Sequence, residues 1–76
     1  MNDTRIWGLV KGPHNARAVA RQVPGVGIEL RYLWNDEVRA TQVFRNSVEL
    51  AEAASKKREE LSAAGWIDQP MPTWGS

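Results

Sequence analysis

Two alternating runs, Ile28 to Trp34 and Val38 to Phe44, stand on either side of Asn35-Asp36-Glu37. Alternation puts every second side chain on one face of a strand, and so short a connection returns the chain antiparallel. The loop length decides which side chains share a face. With three loop residues Trp34 opposes Val38, Tyr32 opposes Ala40, Leu30 opposes Gln42 and Ile28 opposes Phe44, so one face is almost wholly apolar. With only Asn35 and Asp36 in the turn, Trp34 opposes Glu37 and the faces mix. Burial pins register, so the longer loop is expected, although Glu37 suits a left-handed backbone position poorly.

Two further strands precede this hairpin. Arg5 to Lys11 forms the first, closed by the turn formers Gly12-Pro13-His14-Asn15. Ala16 to Val23 has weaker β-propensity, but Arg17, Val19, Arg21 and Val23 recur with period two, and Pro24-Gly25-Val26-Gly27 ends the run. After Phe44 the period becomes helical. Asn46 is placed to cap a helix with Glu49 three residues on, and Ser47 competes for the same role. The helix runs from Ser47 to Ala64 with an apolar stripe of Leu50, Ala54, Leu61 and Ala64 bridged by the stem of Lys57. On its wet side Glu52, Lys56 and Glu60 stand four apart. Gly65 is where a left-handed residue ends a helix, which sets Trp66 against Leu61 and makes Trp66 a core residue.

The expected fold class is α+β: a four-stranded antiparallel sheet with one C-terminal helix packed on one face. Residues 1–68 form the domain, and residues 69–76, with two prolines and Trp74, form an extended tail that either docks or hangs free. A chain of 76 residues buries only about 60% of its unfolded surface. Its core is thin, and a partner subunit would relieve the resulting marginal stability.

Composition removes several kinds of chemistry. The chain has no cysteine and one histidine, His14, which excludes disulfides, thiolate metal sites and a cysteine nucleophile and leaves no ordinary zinc ligand set. His14 reads as an exposed loop residue, the Gly12 and Gly25 to Gly27 segments as turns rather than phosphate loops, and Glu49, Glu52, Glu59 and Glu60 as capping and solvating groups. Lys56-Lys57-Arg58, flanked by glutamates, reads as a solvated face. No catalytic, cofactor or metal site and no small-molecule substrate is expected. Neither a signal peptide nor a membrane span is evident, so the expected location is cytoplasmic.

Charge is uneven along the chain. Residues 1–45 carry seven Lys or Arg against four Asp or Glu, whereas residues 46–76 carry three against five. Strand alternation assigns Ile6, Val10, Ala16, Ala18, Ala20, Ile28, Leu30, Tyr32, Trp34, Val38, Ala40 and Phe44 to the helix side. The opposite face then collects Arg5, Lys11, Arg17, Arg21, Arg31 and Arg39 against Glu29, together with Trp7, Leu9, Val19, Val23, Leu33, Thr41 and Val43. Two uses compete with an ordinary solvated face. Trp7, Leu9, Val19, Leu33 and Val43 would form an interface in a homodimer or with another protein. Alternatively, Arg17, Arg21, Arg31 and Arg39 would meet the phosphates of a single-stranded nucleic acid while Trp7 stacks on a base.

The stretch Glu29 to Arg39, followed by Gln42-Val43-Phe44-Arg45 and by Lys57-Arg58-Glu59-Glu60-Leu61 with Gly65-Trp66, resembles a group of short uncharacterised proteobacterial proteins. The likeness covers residues 5–66 and implies an independent bacterial domain with no known activity. In strand order the chain is also similar to the single-stranded-DNA-binding module of transcriptional coactivators and, more distantly, to Whirly proteins. That likeness implies dimerisation and single-strand binding through the sheet, but it rests on fold order and a basic face, and fold alone does not imply function.

Overall fold

The structure is a computed structural model that describes residues 3–69. Strands β1 (Thr4–Lys11), β2 (His14–Val23), β3 (Gly27–Trp34) and β4 (Glu37–Phe44) are followed by helix α1 (Ser47–Ala63) and a two-residue strand β5 (Ile67–Asp68). They form one antiparallel sheet in the order β4-β3-β2-β1-β5, with α1 packed on one face. The fold is α+β as expected, with β5 an addition too short to show a period. It pairs Ile67 with Val10 and Asp68 with Leu9, and the Gln69 N–H donates to the Gly8 carbonyl at 2.9 Å. Gln69 is therefore held on the sheet rather than beginning a free tail. The expected tail residues 70–76, Trp74 among them, lie outside the described residues.

Both hairpin turns at one end of the sheet are tighter than expected. Lys11 pairs with His14 across Gly12-Pro13, and Trp34 pairs with Glu37 across Asn35-Asp36. Asn35 and Asp36 have φ of 50° and 69°, the two left-handed residues of a primed turn that matches the twist of the strands it joins. Thus the three-residue loop is not formed. Its apolar register nevertheless appears further along, because a bulge follows the turn: Leu33 opposes Val38, then Tyr32 opposes Ala40, Leu30 opposes Gln42 and Ile28 opposes Phe44. Arg39 is the extra residue. The turn that fits the backbone and the register that buries the side chains differ by one residue, and the bulge absorbs the difference.

A second bulge decides what β1 buries. Arg5 opposes Val19, but Trp7 opposes Ala18, so Ile6 is the extra residue and alternation changes phase within the strand. From that point Trp7, Leu9 and Lys11 face the helix, whereas Val10 lies on the other face and Ile6 is exposed at the sheet edge. The expected parity of Trp7, Leu9, Val10 and Lys11 is reversed, whereas Ile6 stays on the helix side as expected. Ile6-Trp7-Gly8-Leu9-Val10 is apolar throughout and carries no phase of its own, so hydrophobicity could not mark the slip.

The core consists of Trp7, Leu9, Ala16, Ala18, Leu30, Leu50 and Ala54, with Ile28, Tyr32, Trp34, Phe44, Leu61 and Trp66 packed around it. The alanines of β2 leave room into which the larger side chains of β1, β3 and the helix converge. Asn46 caps α1, its Oδ1 accepting from the Glu49 N–H at 2.9 Å. At the other end Gly65, with φ of +100°, donates to the Ser62 carbonyl at 3.1 Å and Trp66 to the Leu61 carbonyl at 3.0 Å. These are the two bonds of the expected C-terminal cap. Trp66 is half-buried, its ring edge-on to Trp34 with centroids 5.7 Å apart.

Candidate functional site

The face of the sheet away from α1 holds three of the five expected interface residues. Val19 lies there between Arg5 and Arg31, Leu33 between Arg17 and Val38, and Val43 beside Glu29. The bulge at Arg39 adds Val38, which alternation had assigned to the helix side. Val38 and Val43 are 51% and 48% exposed, whereas Leu33 is 9% exposed although no helix covers it. The other two expected residues are elsewhere. Trp7 and Leu9 are 7% and 0% exposed in the core, and the Trp7 Nε1–H donates to the Ala54 carbonyl at 2.8 Å. With its ring against Tyr32, centroids 5.9 Å apart, Trp7 presents no free surface on which a base could stack.

Most of the cations of this face are held in ion pairs within the fold. Glu29 accepts from Arg31 at 2.7 Å and from Arg21 at 3.3 Å. Arg17 pairs with Asp36 of the turn at 3.2 Å, whereas Arg39, expected on this face, is carried by its bulge to the helix side near Tyr32 and Lys57 and pairs with Glu37 at 3.6 Å. Asp36 and Glu37, read from the sequence only as loop residues, thus serve as counter-charges. Arg17 is held closely enough for its Nε to be buried without a hydrogen-bond partner. Arg5 lies across Gly8, where a side chain would collide with its guanidinium, and reaches Gln69 at 3.5 Å. Lys11 leaves the face altogether: its Nζ donates to the Ala64 carbonyl at 2.6 Å. It brings a cation to a helix end whose last turn has no basic residue.

His14 is exposed, as expected, but it begins β2 and its Nδ1 is 3.2 Å from the Asn35 amide nitrogen. Asn35 also accepts from the Asn15 N–H at 3.0 Å and donates its own N–H to the Asn15 carbonyl at 2.9 Å. The two tight turns are thereby fastened side by side.

Of the clefts that adjoin the helix, two hold charged side chains from more than one element. One, of about 400 Å³, lies between α1 and the bare edge of β1, with Ile6, Ala51, Ser55, Arg58 and Asp68 in its walls. Arg58 in its wall is held by Asp68, Nη2 donating at 2.6 Å, and Arg5 reaches the Gln69 amide at 3.5 Å. The other, of about 390 Å³, lies where α1 stops short of β4 and is lined by Tyr32, Trp34, Arg39, Ala40 and Lys57. Lys57 Nζ is 5.9 Å from the centre of the Tyr32 ring, and the Tyr32 hydroxyl is 3.5 Å from the Ala53 carbonyl. Burial first, and then the charge of Glu60, raise the Tyr32 pKa above its ordinary value. From sequence both aromatics read as core. The signal that they reach its rim lies on β4, where Ala40 and Gln42 offer the helix little to bury.

Among the described residues no helix is long and apolar enough to cross a membrane, and no three of His, Asp and Glu come together as a metal site. No family model matches the chain, and no curated protein or solved structure is significantly similar to it.

Proposed function

We propose that this chain is a non-enzymatic, cytoplasmic protein-binding module whose simplest partner is a second copy of itself. The contact surface is the sheet face around Val19, Leu33, Val38 and Val43. One observation carries the reading: a sheet face with no helix over it keeps valines and a leucine, while Glu29 and Asp36 hold Arg17, Arg21 and Arg31 in ion pairs. Such a face has an apolar centre to bury against a protein, and its paired arginines cost less to desolvate than free ones would. Single-strand binding across this face by Arg17, Arg21, Arg31 and Arg39 draws less support, because the first three are in ion pairs, Arg39 lines the cleft on the opposite side of the sheet and Trp7 is in the core. Isotope-filtered nuclear Overhauser spectra on a mixture of labelled and unlabelled protein test the proposal. Intermolecular contacts from the methyls of Val38 and Val43 are expected. Their absence at a concentration where the protein is dimeric would move the interface elsewhere.

A further inference from the structure

The cleft between α1 and β4 lies on the opposite side of the sheet from the face just described and has a different chemistry. Tyr32 and Trp34 are two residues apart on β3 and form an aromatic wall. Ala40, the partner of Tyr32 on β4, is too small to cover it. Cations enter from two elements: Lys57 from the helix, and Arg39 from the bulge that displaces it out of strand alternation. No carboxylate lines the cleft. The acids that hold these cations, Glu60 for Lys57 and Glu37 for Arg39, do so at 3.5 and 3.6 Å on exposed side chains. Exposed pairs of that kind are weak, so either cation is free to turn to a better-placed anion.

We propose that this cleft binds a planar aromatic anion of the nucleoside monophosphate class, its ring against Tyr32 and Trp34 and its phosphate between Lys57 and Arg39. A stacked ring gains from the aromatic wall and from the cation beside it, and the phosphate gains from charge that the cleft itself does not offset. The same chemistry is offered by a free nucleotide and by one residue of a single strand.

The test is titration of ¹⁵N-labelled protein with adenosine monophosphate and, separately, with adenosine, followed by amide and indole shifts. The monophosphate is expected to move the Trp34 indole and the amides of Tyr32, Ala40 and Lys57, and to bind more tightly than adenosine. Lys57→Gln, at a half-buried position, and Arg39→Gln, at an exposed one, should each weaken monophosphate binding by roughly fivefold and leave adenosine binding almost unchanged. A circular dichroism melt checks that the variants fold. An oligo-deoxyadenylate that binds more tightly per nucleotide than the monophosphate identifies a single strand as the source; one that does not identifies the free nucleotide. The proposal is overturned if nothing shifts at about 5 mM monophosphate, a concentration above the roughly millimolar limit of ~4 kcal/mol binding. It is also overturned if the shifts map to the Val19–Val43 face, or if both variants bind as the parent does.

Discussion

The Trp7 indole N–H donates to the carbonyl of Ala54 at 2.8 Å, a bond between the first strand and the middle of the helix. Ala54 is fully buried and Trp7 nearly so, so the bond is shielded from water and the indole has no other role to play. Trp7→Phe keeps most of the ring and removes the donor, and should cost about 1–2 kcal/mol. Trp7→Ala also opens a cavity and should cost about 3–5 kcal/mol. Urea denaturation measures both. If Trp7 instead served as a stacking residue on the outer face, Trp7→Phe would leave stability nearly unchanged.

The Asn35-Asp36 turn stands on two left-handed residues. Asp36→Ala should destabilise by roughly 1–2 kcal/mol, because alanine has no polar side chain to favour that conformation. Asp36→Gly should be close to neutral, since the loss of an exposed ion pair to Arg17 is set against relief of backbone strain. Thermal melts of the two variants, compared under one buffer, separate the backbone term from the ion pair.

Lys11 caps a helix from a neighbouring strand, with its ammonium 2.6 Å from the Ala64 carbonyl. Lys11→Met keeps the apolar stem and removes the charge, and should cost about 0.5–1 kcal/mol, less at high salt. Chemical denaturation of the parent and the variant at low and high salt reads both effects.

Tyr32 predicts a pH dependence. Burial and the nearby Glu60 raise its pKa above the ordinary 10.0, so the phenol ionises more readily in the unfolded chain than in the fold. The resulting stabilisation is complete below pH 10.0 and is lost as pH rises through the folded pKa. The stability of the parent should therefore fall more steeply than that of Tyr32→Phe above this pH. Parallel slopes for the two proteins in denaturant titrations at pH 9 to 11 would contradict the assignment.

Much of the fold could be read from the chain because its strongest signals are local. The Asn46 cap, the Gly65-Trp66 terminus and the alternation of Ile28 to Phe44 each depend on residues close in sequence. What escaped depends on a partner strand. A bulge is a mismatch between two strands, so neither Ile6 nor Arg39 announces one by itself. The β1 bulge moves Trp7 and Leu9 from the expected interface into the core, and the β4 bulge carries Val38 the other way. The basic face was visible as a count of arginines. The pairing of Arg17 with Asp36 was not, because that acid acts from the turn and not through strand alternation.

The central claim is that the uncovered sheet face, with its apolar centre and ion-paired arginines, is a contact surface for a second copy of this chain. Sedimentation velocity across a wide concentration series, at low and high salt and with the parent compared with Val43→Glu, tests it most directly. The account predicts a dimer that is insensitive to salt and is lost in Val43→Glu, with the fold retained. A parent that sediments as a monomer at every concentration and salt would contradict it.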